Sequence, residues 1–138
     1  MSAIGSALSG LQASMVRLNV TASNIANANT TGPVPGASAV SPSGGGSSGQ
    51  AYRPLTTQQS ETPGGGTAAK AVAVAPSFIP TYDPGSIHAD PSGMVAAPNV
   101  DVADQLVEQR TAMIAYEANL KVMQTANRMN ETSLEIWG

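Results

Sequence analysis

The distribution of proline constrains this 138-residue chain more than any other feature. All ten prolines lie between Pro33 and Pro98, and eleven of the fourteen glycines lie between Gly32 and Gly93. Because proline removes a backbone donor and clashes inside a helix, long helices are possible only at the two ends. The sequence therefore predicts a helix, an irregular middle and a second helix.

This division gives four segments of different composition. Residues 1–32 and 99–138 are predicted to be helical, and the fold class is mainly α, with these two helices paired as a coiled coil. Residues 33–69, rich in Gly, Pro and Ser, are predicted to be a flexible insertion because they contain little to bury. Residues 70–98 combine an Ala/Val run with turn sequences, which predicts at most one short β-hairpin.

Large apolar residues in the first segment recur with alternating steps of four and three. This is a heptad pattern, which places one narrow stripe of a helix against a partner. We expect the helix to end near Gly32, where glycine can adopt a left-handed cap conformation and Pro33 prevents continuation. The stripe consists of Ile4, Leu8, Leu11, Met15, Leu18 and Ile25, with Ala22 in the same pattern.

The last segment carries the same pattern over a longer stretch. Pro98 precedes its start, and Asp101 is expected to cap the helix N-terminus. From residue 100 to residue 136 this helix would be roughly 50 Å long at about 1.5 Å per residue, too long for the small middle segment to cover. The stripe consists of Val102, Leu106, Met113, Tyr116, Leu120, Met123 and Leu134.

The two stripes together are predicted to form an assembly seam. Aromatic residues make up only 4% of the chain, so there is little material for a deep core. A single helix pair built from such stripes is marginally stable, because ordering the backbone costs more than the burial contributes and hydrogen bonds offset only part of the difference. We therefore expect other chains to cover apolar surface that one molecule leaves exposed.

Composition also excludes several classes of partner. The net charge is −3, and six basic residues spread along the chain cannot form a dense site for nucleic-acid phosphates or anionic lipid. No apolar run is long enough to insert directly into a membrane. The chain has no cysteine, and residues 1–5 lack the features of a cleavable signal, so any export would use a route that needs no signal cleavage.

The single histidine, His88, is the only residue that invites a catalytic or metal-binding interpretation. Asp83 and Asp90 lie nearby in the sequence, but a metal or catalytic site needs about three such groups held on a rigid frame. Turn sequences surround all three residues. The sequence therefore predicts no catalytic residue, no cofactor and no metal ion, and His88 is expected to be a solvated loop residue.

Several motifs carry a family resemblance. Leu18–Pro33 resembles the N-terminal signature of bacterial flagellar rod and hook proteins, the flagellar axial family. Gly49–Arg53, Tyr82–Gly85, Pro98–Val102 and Tyr116–Met123 resemble, in order and spacing, the FlgC-type proximal-rod proteins of that family. The polar residues of these signatures are Asn19, Asn24, Asn27, Thr31, Gly32, Asn99, Asp101 and Asn119.

The resemblance implies a structural subunit of the proximal rod, the driveshaft that carries torque from the basal body. It also implies partners: copies of the same chain and other rod proteins in a helical array, basal-body ring or adaptor proteins, and the flagellar type III export apparatus. The implied location is the basal-body rod in the periplasmic space. Residues 34–48 depart from the family pattern as an insertion, and residues 54–69 match it poorly.

Two alternatives to this function follow from the residues. The helices could fold onto one partner in a helical adaptor of the flagellar export or assembly pathway, or the chain could be an enzyme acting on the cell wall. For Asn24 and Asn27, two roles are equally compatible with the pattern. They either bond the backbone of an adjacent subunit and fix its register, or merely tolerate a fraying helix end.

Overall fold

The computed structural model describes residues 3–35, 49–63 and 65–137, and the side chains of residues 136 and 137 are excepted. Its helices and strands, in chain order, are α1 (Ala3–Asn27), β1 (Leu55–Glu61), β2 (Thr67–Ala73), β3 (Phe78–Tyr82), β4 (Met94–Pro98) and α2 (Val102–Trp137). The prediction of two long terminal helices is confirmed. The Gly/Ser-rich residues 36–48 of the predicted insertion lie outside the described residues.

The N-terminus of α2 is capped as the sequence predicts. The Asp101 carboxylate accepts hydrogen bonds from the backbone N–H of Ala103 at 2.8 Å and of Asp104 at 3.3 Å. These bonds satisfy amides that have no partner within the helix, and the carboxylate lies at the positive end of the helix dipole. The helix therefore begins directly after Asp101.

Gly32 has a different role from the one predicted. The first helix ends at Asn27, and Gly32 does not adopt the left-handed conformation of a helix cap. Its backbone pairs with Ala96 of β4 through two hydrogen bonds of 2.9 and 2.8 Å. A Cβ atom here would overlap the backbone of Gly49 and Ala51, so close packing of three chain segments, rather than backbone conformation, requires glycine.

The two helices run antiparallel against each other. Arg17 of α1 contacts Glu108 of α2, and Asn24, further along α1, contacts Gln105, which lies earlier in α2. A helix of 36 residues is about 54 Å long, whereas the 25 residues of α1 span only about 37 Å. The C-terminal end of α2 therefore extends beyond the start of α1.

The middle contains more β-structure than the single short hairpin predicted. Strands β1 and β2 pair antiparallel from Leu55 opposite Ala73 to Glu61 opposite Thr67. Strands β3 and β4 form a second antiparallel pair, with Phe78 opposite Pro98 and Tyr82 opposite Met94. The first strand has the polar sequence LTTQQSE, which lacks the apolar alternation that reveals a half-buried strand. Its pairing depends instead on β2 and on contacts with α1.

The core is thin and built from small side chains. Helix α1 lies between α2 and the β1–β2 hairpin, and Ser9 of α1 accepts a hydrogen bond from the Thr67 amide of β2. The buried apolar residues are Ala7, Leu11, Ala13, Val20, Val95, Ala96 and Ala112. Such a core buries little apolar area for a chain of this length.

Neither helix, as far as the structure describes them, is long and apolar enough to cross a lipid bilayer.

Candidate assembly surface

The surface where α1 and α2 meet is lined by small and polar residues. Arg17 forms an ion pair with Glu108, at 2.6 Å from Nη2 and 2.7 Å from Nε to the same carboxylate oxygen. Ala112 is fully buried, and Gly10 lies so close to Asn119 that an added Cβ would stand 2.6 Å from its side-chain nitrogen. The buried or interhelical residues on this inner face are Ala7, Gly10, Ser14, Arg17, Thr21, Asn24, Gln105, Glu108, Ala112 and Asn119.

Asn24 is the centre of a buried polar junction between three parts of the chain. Its side chain is only 1% exposed. The amide nitrogen donates to the Leu55 carbonyl at 2.7 Å and to Gln105 Oε1 at 2.8 Å, and Oδ1 accepts from the Leu55 amide at 3.0 Å. The Tyr52 hydroxyl adds a 3.1 Å bond to Oδ1 and lies 3.0 Å from the Ser23 hydroxyl. Asn24 thus ties α1 to both the hairpin and α2 within one chain.

Six of the thirteen predicted seam residues are exposed in the structure. Leu8 is 48% exposed, Met15 53%, Leu106 51% and Met113 50%. Val102 and Leu134 are also exposed, whereas Leu11 alone is buried. The remaining seam residues are half-buried: Ile4, Leu18, Ile25, Tyr116, Leu120 and Met123.

The inner face and the predicted seam differ by a single residue along each helix. Ser14 is buried and Met15 exposed in α1, and Ala112 is buried and Met113 exposed in α2. One residue corresponds to a rotation of about 100° around a helix. Large apolar side chains therefore occupy the flank of the helix pair, while small ones occupy the contact.

These apolar flanks lie on one side of the molecule. Relative to the inner face, the exposed stripe is displaced by one residue in the same direction on both helices. Because the helices are antiparallel, this displacement brings both stripes to the same side of the pair, away from β1–β2. We call this surface the outer apolar face; it consists of Leu8, Met15, Leu106, Met113 and Leu120.

The far end of α2 is exposed on all sides. From Gln124 to Glu135 only Ala126 is partly covered. Met129 is 65% exposed and Leu134 is 74% exposed. A helical end of this kind lacks the tertiary packing that supplies most helix stability in proteins.

The polar signature residues fall into two groups. Several serve local structure: Asn27 bonds the Ser23 carbonyl, Asn99 bonds Pro76, Asn119 bonds Ala115, and Asp101 caps α2. Gly32 pairs with β4, while Asn19 is exposed and Thr31 is half-buried. Asn24 is the one whose side chain joins α1, the hairpin and α2.

The sequence prediction missed the polar contacts of the inner face. Arg17, Glu108 and Gln105 were not selected, although a signal exists in their spacing. Gly10, Arg17 and Asn24 are seven residues apart, as are Gln105, Ala112 and Asn119. On α1 this second heptad is followed one position later by Leu11, Leu18 and Ile25, which are buried or half-buried, and on α2 by Leu106, Met113 and Leu120.

The loop carrying His88 is organised by hydrogen bonds to Asp90. The Asp90 carboxylate accepts the amides of Ser92 at 2.8 Å and Met94 at 3.0 Å, and the bond from Met94 lowers the pKa of Asp90. The ring of His88 lies against Gly49. Among residues 3–35, 49–63 and 65–137, no three His, Cys, Asp or Glu residues are grouped to hold a metal ion. Asp90 shapes its own turn.

Comparison with known proteins gives two family matches. Residues 4–33 match the family described as flagella basal body rod protein, and residues 92–136 match the C-terminal family of the flagellar basal body rod FlgEFG proteins. These ranges contain α1 and nearly all of α2, the two elements that carry the outer apolar face.

Two curated relatives match over most of the chain, and a third matches over less than half of it. The flagellar basal-body rod protein FlgC of Salmonella typhimurium is 38% identical over 128 residues, which cover 88% of this chain and 85% of the relative. FlgC of Agrobacterium fabrum is 31% identical over 134 residues, covering 93% and 88%. FlgC of Aquifex aeolicus is 37% identical over 62 residues, covering 45% and 46%.

Proposed function

The chain belongs to the FlgC family of flagellar basal-body rod proteins, and from this membership we propose that it builds the proximal rod by polymerising through its terminal helices. As a member of this family it is a structural subunit of the basal-body rod and not an enzyme. The proposal concerns how the subunit assembles and what the assembly transmits.

The observation that carries the proposal is the outer apolar face. Leu8, Met15, Leu106 and Met113 are each about half exposed, on the two helices that match the rod families. Burying such side chains contributes about 1.5–3 kcal/mol each. Because the chain's own hairpin covers the opposite side of α1, a neighbouring subunit is the natural source of the missing cover.

The mechanism of such a rod is mechanical. A contact between different surfaces of successive copies does not close on itself, so it extends into a helical array rather than a dimer. Close-packed interfaces resist deformation and transmit strain. Many interlocked helix pairs would therefore resist twisting and carry torque along the rod.

We further propose that α1 and α2 adopt coiled-coil packing in the array, with other rod proteins and basal-body ring or adaptor proteins at its ends. The subunit would reach the periplasmic part of the basal body as an unfolded chain through the flagellar type III apparatus, without signal cleavage.

The experiment combines assembly in vitro with imaging of cells. Purified protein is mixed with other rod proteins and followed by sedimentation and electron microscopy, and a deletion strain is imaged to find where basal-body assembly stops. A rod subunit gives open-ended polymers and a basal body truncated within the rod. A small complex of fixed size, with a complete rod in the deletion strain, would instead favour an adaptor.

A further inference from the structure

Each helix offers two faces on which a partner helix can pack. The inner face has the heptad of small and polar residues, and the apolar heptad begins one residue later. A fold governed by apolar burial alone would turn Leu8, Met15, Leu106 and Met113 towards each other. The structure leaves these side chains about half exposed, so something outweighs the lost burial.

The polar contacts of the inner face supply that opposing preference. Asn24 and Gln105 form a 2.8 Å hydrogen bond, and Arg17 and Glu108 form an ion pair in which the Arg17 side chain is 17% exposed. The buried Asn24 amide and the largely buried Arg17 must keep their partners, because an unpaired buried donor or charge is strongly unfavourable, whereas the Glu108 side chain is 41% exposed. Single polar positions of this kind set the register of helix pairs at a cost in stability.

We propose that Asn24–Gln105 and Arg17–Glu108 are register-selecting pairs: they hold α2 on the inner face of α1 and so keep the outer apolar face free for a second copy of this chain. Asn24 also bonds both backbone groups of Leu55, which makes the selection depend on the β1–β2 hairpin being in place. The register of the two helices is a property of one molecule. Only its consequence, a free outer apolar face for a second copy, rests on the proposed function.

The absence of cysteine from the chain makes the register directly measurable by disulfide formation. The pair Ser14→Cys and Ala112→Cys reports the inner face, because both residues are buried and the contacts of Asn24 with Gln105 and of Gly10 with Asn119 place them within about one helical turn of each other. The pair Met15→Cys and Met113→Cys reports the alternative, in which the apolar stripes meet. A disulfide needs Cα atoms within about 7 Å, so each pair reports its own register, and only products of monomer mass are counted.

The selecting contacts are then removed from α2 alone, by Gln105→Leu with Glu108→Leu, which leaves the bonds of Asn24 to the hairpin intact. We expect the inner-pair disulfide to fall by about fivefold to thirtyfold relative to the outer pair, while the helical circular dichroism signal is kept. Polymerisation should be lost because the outer apolar face is now internal. Thr125→Leu, an exposed substitution on α2, serves as the matched control and should change neither disulfide.

A charge exchange separates register selection from general destabilisation. Arg17→Glu alone should shift the disulfides to the outer pair, and adding Glu108→Arg should restore the inner pair and polymerisation. The proposal is overturned if the leucine variants keep the inner disulfide, if they lose helicity and form neither disulfide, or if the charge exchange fails to rescue. A register shift in a chain whose unaltered form never polymerises would leave this inference standing and refute the proposed function.

Discussion

The inner and outer faces of the helix pair differ in composition and exposure, and we propose that the first serves folding and the second assembly. The inner face holds the molecule together through small side chains, an ion pair and a buried amide, whereas the outer face carries leucine and methionine side chains, four of which are about half exposed. The comparison teaches that the larger apolar stripe need not be the one a chain uses for itself. A polymer subunit can assemble only if apolar surface remains exposed for contact with neighbouring subunits.

The sharpest way to break this comparison is to charge the outer face. Met15→Glu with Met113→Glu should weaken association by about a hundredfold or more, because each carboxylate would be buried without a partner at the contact. The free energy of unfolding of the monomer should change by less than about 0.5 kcal/mol, as for other exposed positions. Sedimentation measures the association, and chemical denaturation measures the free energy of unfolding. A large loss of monomer stability would show that the inner and outer faces are not independent.

The inner face is tested by removing the centre of its polar junction. Asn24→Ala should lower the free energy of unfolding by about 2–4 kcal/mol, since the Leu55 amide, the Tyr52 hydroxyl and the Gln105 side chain all lose a partner. Urea denaturation measures the change. Asn19→Ala, at an exposed position of the same helix, is the matched control, and equal effects of the two variants would contradict the role of the junction.

Close packing behind the junction is tested at Gly32. Gly32→Ala should destabilise the fold by about 1–3 kcal/mol, because the added methyl group overlaps the backbone of Gly49 and Ala51. At Gly85 the nearest atom to an added Cβ is an Asp83 carboxylate oxygen at 3.7 Å, so Gly85→Ala should be nearly neutral. Thermal unfolding of the two variants compares them; a neutral Gly32→Ala would mean that the three segments separate readily.

A smaller effect is expected at the start of α2. Asp101→Ala removes the cap bonds to Ala103 and Asp104 and should cost about 1 kcal/mol, measured by denaturation. Asp101→Asn keeps an acceptor oxygen, so it should lose only part of the stability that Asp101→Ala loses. Both variants should polymerise normally, since Asp101 belongs to neither face; loss of assembly with unchanged stability would give the cap a role at the subunit contact.

The smallest effect concerns pH and should leave both faces untouched. The Met94 amide lowers the pKa of Asp90 below its ordinary value of 3.8, so the native state favours the ionised form. The resulting stabilisation is present above the unfolded-state pKa and is lost as pH falls through the lower native value. Unfolding followed between about pH 5 and pH 2 should show this loss, and Asp90→Asn should reduce the pH dependence. An unchanged profile would show that the Asp90 turn does not contribute.

The sequence by itself determined where helices can form. Prolines confined to residues 33–98 exclude long helices from the middle, because the proline ring is incompatible with a helix interior. Asp101 marks the start of α2, because its carboxylate can bind backbone amides that have no partner within the helix. The apolar heptads and the family signatures were equally visible. The β1 strand was not, since its polar side chains give no pattern and its pairing depends on β2 and α1.

Only the tertiary structure decided which stripe of each helix faces the other. Faces one residue apart on a helix have the same spacing, so periodicity cannot choose between them. Apolar size alone favours Leu8, Met15, Leu106 and Met113 for the contact, and these remain about half exposed. The choice depends on contacts between residues far apart in the chain, such as Arg17 with Glu108 and Asn24 with both Leu55 and Gln105. Those contacts exist only once the helices and the hairpin are brought together, because a buried polar group is favourable only beside its partner.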